Sequence, residues 1–211
     1  MTEQSIELLS NDESRLRAKS LFGEPGDSLS VRVPGREEFL FATPERSEPK
    51  AVPFQTTGLE ATHLHAAIYG FRKDAGGVLI GKTPWSTALA NIGAAIPTLF
   101  DEQARHIGFA GKPIAVGRHT RLLRALKGGT NVVIYGDQRI CLGTTPSRVV
   151  FNAELFEKCA KAFVIAHTGG NRIRRLPGWV RYIAGGRLRK DQKRAALSYA
   201  KGRIPEGMDA Y

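Results

Sequence analysis

Lys82 is the first residue whose setting suggests chemistry. It stands just beyond Val78-Leu79-Ile80, a short apolar run of the kind that forms a strand buried on both faces. A lysine at the end of such a strand can lose hydration and attack a carbonyl as a Schiff-base nucleophile. Glu60 and His63 are three residues apart in a stretch with helical periodicity, so a carboxylate and an imidazole could meet as an acid/base pair. His63 and His65, two residues apart on that helix, face different directions and are poorly placed to share a metal. His65 reads as a packed or polar-contact residue. His106 follows Glu102 by one helical turn and reads as structural, while His119 and His167 have no evident partner in the sequence. Cys141 and Cys159 form neither a disulfide framework nor a metal-type spacing. No nucleophile motif supports a Ser–His–Asp arrangement.

The elements that must position these residues alternate between helix and strand. Residues 4–21 carry a weak helical pattern, broken by Ser-Asn-Asp at 10–12, where Asn11 or Asp12 could cap a second short helix. Leu29, Val31 and Val33, then Phe39 to Phe41 after Pro34-Gly35, read as a β-hairpin. Residues 43–58, with Pro44, Pro49, Pro53 and Gly58, read as a loop. A helix follows over 59–72, a buried strand over 78–80, and a helix from Pro84 to about Ile92. A further short helix is expected over 101–107, a short strand over 114–116 and a helix over 120–126. Two strands, 131–135 and 138–142, flank a Gly136-Asp137 turn. Thr145 caps a long helix from Pro146 to about His167, ended by Gly169-Gly170, and a last helix is expected over 187–201. This is α/β layering, with too many hairpins for a purely parallel sheet and no Gly-rich turn of the dinucleotide-binding kind.

At 211 residues, the chain is read as one domain with a core over about 26–168 and a basic C-terminal extension over about 169–211. No apolar run is long enough for a membrane span, and the N-terminus lacks the form of a secretory signal, so the expected setting is the cytoplasm. The formal net charge is +11. Between residues 171 and 203 eleven Lys and Arg stand against Asp191 alone. Such a segment can hold an acidic partner, nucleic acid included, or be a solvated helix face, or cover an acidic patch on a neighbouring subunit.

Several phrases, in order and spacing, resemble the class II aldolase/adducin family, which includes fuculose-phosphate aldolase and ribulose-phosphate 4-epimerase. They are GDSLSVRVPG, LHAAIYGFRKDAGGV, TPWSTALA, IPTLFDEQARHIG and NVVIYGDQRICLG followed by FNAELFEKCAKA, spanning roughly Gly26 to Ala166. The resemblance implies a three-layer α/β/α fold around a mostly antiparallel central sheet. It also implies a homo-oligomer, usually a tetramer, with pockets at subunit contacts. The family carries a zinc-binding His-x-His before the Pro-aromatic-x-Thr-Ala-Leu helix, a third histidine in the later hairpin, and a catalytic glutamate eight residues before a helix tyrosine. Counted from Pro84-Trp85, Gly143 and Tyr69, those positions fall on Ile80, Lys82, Asp137 and Ala61, with Glu60 one residue from the last.

These identities argue against the family's chemistry. Zinc in a catalytic site takes three imidazole or carboxylate ligands and keeps one position open. Ile80 cannot ligate, Lys82 brings positive charge, and Asp137 alone supplies one bond. No zinc or other cofactor is therefore expected. Without zinc, the enediolate of retro-aldol cleavage or epimerisation loses its main stabiliser. Lys82 and Asp137 would instead either pair and fill the charge vacancy or both point to solvent. The family's phosphate turns read Asp27-Ser28 and Glu45-Arg46 here, and the two carboxylates would repel a phosphate while Arg46 attracts one. The residues expected to matter are Lys82, Asp137 and Glu60 for any catalysis, and Lys82, Arg46, Ser28 and His63 for a ligand. The expected function is that of a catalytically silent or metal-independent aldolase/epimerase-like protein holding a small anionic or sugar-like metabolite. One alternative is an interaction protein using its basic segment; a lesser one is an active aldolase or epimerase with relocated ligands.

Overall fold

The computed structural model describes residues 3–46, 48–56, 60–127, 129–170 and 173–206; the side chains of Glu3, Gln4 and Glu60 lie outside the described part. Six strands form one sheet: β1 (Ser28–Arg32), β2 (Glu38–Ala42), β3 (Lys50–Pro53), β4 (Gly77–Gly81), β5 (Val132–Tyr135) and β6 (Gln138–Gly143). The order is β3-β2-β1-β4-β6-β5 and every neighbouring pair is antiparallel. β4 sits centrally, with Leu79 opposite Leu29 on one side and Cys141 on the other.

Strand pleating divides the core in two. Leu29, Leu40, Leu79, Ile134 and Cys141 face one side of the sheet and pack with α1 (Glu3–Ala18), α3 (Pro84–Ile92) and α5 (Pro146–Thr168). Phe39, Phe41, Val78, Ile80, Ile140 and Tyr135 face the other side, against α2 (Glu60–Phe71) and α4 (His119–Lys127). The result is the expected three-layer α/β/α arrangement. α6 (Gly178–Ala200) crosses one end, where Tyr199 Oη donates to Thr144 O at 2.9 Å and Arg105 pairs with Asp191 at 2.6 Å.

Several boundaries differ from those read in the sequence, each for a physical reason. Residues 10–12 do not break α1. Ser5, Leu9, Asp12 and Leu16 form one buried stripe, so packing overrides the local turn preference. Lys50–Pro53, read as loop, is an edge strand bonded only to β2, the place a sheet tolerates proline. Ile114 makes only an isolated bridge to Tyr135 instead of a strand. Residues 103–107 wind as a π-helical turn. α6 starts nine residues before the expected 187, because Pro177 opens it and Ala184 and Leu188 dock on the body. Leu59, the expected start of α2, and Arg172 of the basic segment lie outside the described residues.

Candidate functional site

β4 ends at Gly81, and the chain turns at once into α3. Thr83 caps that helix in a reciprocal box: its Oγ1 accepts from Ser86 N at 3.3 Å, and its own N–H donates to Ser86 Oγ at 2.9 Å. Between strand and cap stands Lys82. Its backbone N–H donates to Asp27 Oδ1 at 3.1 Å, while Asp27 Oδ2 accepts from Gly23 N at 2.9 Å and Glu24 N at 3.0 Å. Asp27 is buried and its carboxylate points inward, latching the 23–27 loop to the end of β4. Gly81 permits this approach, since a Cβ there would lie 2.3 Å from Asp27 Oδ1.

The β5–β6 turn, with Gly136 at φ 63°, brings Asp137 to the same corner. Lys82 Nζ lies 2.7 Å from Asp137 Oδ2, and Ser86 Oγ donates to the Asp137 carbonyl at 3.3 Å. The contact anticipated from sequence is thus present, with both side chains about half exposed. Beneath it, Thr83 Oγ1 donates to Glu157, whose carboxyl is pushed above the usual range by burial.

Next to this corner a cavity of about 490 Å³ opens between α2 and α4 over the sheet. Ile80 and Ser28 contribute from β4 and β1, and Tyr135 and Gln138 from either side of the β5–β6 turn. Ala61, Leu64 and Ala67 form the α2 wall, facing Leu122 and Leu123 of α4. His63 and His119 are exposed at the mouth beside Val116. Tyr135 Oη accepts from Gly117 N at 2.6 Å, and its ring lies 5.8 Å from that of His119.

Of the residues singled out from sequence, Ser28 and His63 line this cavity. Lys82 and Asp137 stand beside it as neighbours of lining residues Ile80 and Gln138, and Arg46 is exposed in the turn after β2, outside the lining. Glu60 begins α2, but its side chain is outside the described residues. His119, Tyr135 and Gln138 were not singled out; only the fold brings α4 over the hairpin, though Tyr135 and Gln138 bracket the turn that carries Asp137.

The other histidines are accounted for structurally. His65 is fully buried, with Nε2 2.9 Å from Ser28 Oγ and Nδ1 2.6 Å from Ser30 Oγ, and burial pushes its pKa down to about 3. His106 meets Arg148 Nη1 at 2.9 Å, not Glu102, which pairs with Lys158. Burial first, then Arg148 and Arg105, lower its pKa to about 4. His167 stacks on Phe163.

The profile of the Class II Aldolase and Adducin N-terminal domain matches residues 49–164, more than half of the chain. The chain belongs to the class II aldolase and adducin family. Solved structures of this family share the fold. An L-fuculose 1-phosphate aldolase is 16% identical with TM-score 0.76, over 90% of this chain and 98% of that one. YgbL from Klebsiella pneumoniae, a putative aldolase/epimerase/decarboxylase, is 17% identical with TM-score 0.70, over 87% and 99%. An aldolase II superfamily protein from Pseudomonas syringae is 18% identical with TM-score 0.68, over 99% and 96%. No curated protein matches the sequence.

For a member of this family, the donor set at the counted zinc positions is unsuited to the metal. An aliphatic chain, an ammonium and one carboxylate already bonded to that ammonium cannot supply three ligands. Among the described residues no group of three or more His, Cys, Asp or Glu is placed to hold an ion.

Proposed function

We propose that this chain is a class II aldolase-family protein that works without the family's zinc and binds a small metabolite in the cavity between α2 and α4. The carrying observation is the Lys82–Asp137 ion pair at 2.7 Å, beside an aliphatic Ile80. The pair satisfies electrostatically a corner where the family places a dication, and no enediolate stabiliser remains there. In this reading Lys82 and Asp137 are the groups through which any metal-free carbonyl chemistry would run, with Glu60 and His63 as the acid/base candidates from the α2 sequence. With Nζ engaged by Asp137, Lys82 attacks a carbonyl only when the pair opens, so the resting protein is silent as an aldolase or epimerase. Ser28 and His63 contact the ligand. Assembly as a homo-oligomer, which would place the cavity near a subunit contact, belongs to the same proposal. The test is metal analysis of protein purified without chelators or metal-affinity steps. Substoichiometric zinc is expected, and one zinc per chain overturns the reading.

A second reading has its own observation. Trp179, Tyr182 and Ile183 share one face at the start of α6 and are 68%, 75% and 50% exposed. Arg174, Arg175, Arg181, Arg187 and Lys190 around them are exposed as well. Aromatic rings amid arginines suit an acidic partner such as single-stranded nucleic acid. Binding to poly-uridylate that falls steeply with salt supports this reading; its absence at low salt removes it.

A further inference from the structure

The cavity's own chemistry departs from what a sugar phosphate requires. Its floor and walls are aliphatic: Ile80 below, Ala67 and Leu64 on α2, Leu122 and Leu123 on α4. Its polar groups are few. Ser28 Oγ is engaged by His65, and Tyr135 Oη accepts from Gly117 N–H but keeps its own O–H to donate, so that hydroxyl, Gln138 and the two imidazoles at the mouth are the freest partners. Among the described residues, no carboxylate, lysine or arginine lines it. A polyhydroxylated ligand would bury hydroxyls against aliphatic carbon, at about 1–3 kcal/mol for each left unpaired. An apolar body gains from the same walls.

Building on the proposed ligand-binding role, we infer that the cavity takes a small aromatic or alicyclic acid, its ring against Ile80, Ala67 and Leu123 and its carboxylate at the mouth beside His63 and His119. The size is suitable, since small-ligand sites run from about 300 to 1,000 Å³. The imidazole N–H donors of His63 and His119 favour an anionic head over a cationic one. Ile80 then has a positive role: it forms the floor on which the ring rests. His63 and His119 recognise the carboxylate.

The experiment is direct binding by calorimetry and ligand-observed NMR, using 3-phenylpropionate and dihydroxyacetone phosphate as probes. Both are repeated on Ala67→Trp, which fills the cavity from an exposed helix face, and on Leu123→Glu, with thermal unfolding confirming that each variant is folded. Phenylpropionate should bind at least about tenfold more tightly than dihydroxyacetone phosphate, equivalent to one unpaired polar group. Each variant should weaken it by about tenfold or more. Preference for dihydroxyacetone phosphate, lost in both variants, overturns this inference while leaving the cavity a metabolite site. Binding of neither probe counts against both proposals. Phenylpropionate binding untouched by either variant places the ligand elsewhere and overturns the inference alone.

Discussion

Arg72 offers the sharpest quantitative test, because one buried side chain ties together both walls of the cavity. It directly follows the last turn of α2, and its Nε and Nη2 donate to the two Asp74 oxygens, each at 2.7 Å. Nη1 donates to Thr130 O at 2.7 Å and Leu126 O at 3.3 Å, and Nη2 also to Asn131 Oδ1 at 2.8 Å. The end of α2, the end of α4 and the start of β5 therefore meet at one guanidinium. Arg72→Met keeps the aliphatic stem and removes every donor. Asp74 is then a buried carboxylate without its counter-ion, a change that costs about 3–5 kcal/mol. Asn131 Oδ1 keeps a bond from Gln192 Nε2 at 3.1 Å, so the carbonyls of Leu126 and Thr130 bear the rest of the loss. We expect about 4 kcal/mol of destabilisation in urea unfolding followed by far-ultraviolet circular dichroism, with unchanged m. Arg72→Met combined with Asp74→Asn should be less damaging than Arg72→Met alone, because the stranded charge is gone. A single-variant loss under about 1 kcal/mol, or a double variant as unstable as the sum of the singles, refutes the account.

Asp12 predicts a pH dependence. Its carboxyl is buried in α1 and raised from 3.8 to about 7, mainly by burial, with Arg15 opposing. The folded chain therefore holds this proton more tightly than the unfolded one, so the contribution is greatest below about pH 4, falls as pH rises toward 7, and is absent above. The displacement corresponds to at most about 4 kcal/mol. Asp12→Asn should raise stability at pH 8 by about 2 kcal/mol and flatten the slope between pH 4 and 7; identical urea-midpoint profiles contradict this. For Lys82 and Asp137, a double-mutant cycle with alanine should give a coupling of about 0.5 kcal/mol that shrinks in molar salt, as for other half-exposed pairs. A coupling above about 2 kcal/mol means the pair is shielded from water. The triple change Ile80→His, Lys82→His and Asp137→His should bind zinc and raise the melting temperature with zinc concentration. No zinc-dependent shift in a folded triple variant indicates that the three positions do not converge.

What was legible in the sequence was the frame wherever burial was regular. The stretch from α2 to α3 and the run from β5 to α5 show apolar stripes, strand runs and Thr-Pro caps at Thr83 and Thr145, signals that local chemistry and tertiary packing both support. Edges were less legible. β3 has one bonded neighbour and two prolines at its margins, so it carries almost no strand signal. α1 contains a Ser-Asn-Asp that signals a turn only until Asp12 is seen on its buried stripe. The cavity was legible from one side. Ser28 and His63 lie on the elements that carry the resemblance, whereas His119, Leu122 and Leu123 reach it because α4 folds over the hairpin.

Asp27 shows why residue type alone misplaces electrostatics. Read as a charge, it would repel a phosphate from the loop before β1. In the fold its carboxylate is turned inward, where three backbone N–H groups converge on it once β1 and β4 pair, and where Gly81 leaves room. The groups that would otherwise be free to bind an anion are thereby occupied by the protein's own side chain. The same corner holds Lys82 against Asp137, so two internal carboxylates engage both the backbone and the side chain of one lysine. In the proposed reading, a corner closed in this way to phosphate and to a dication leaves apolar surface as its principal means of recognition, and Ile80 supplies that surface at a position where the family places a ligand to zinc.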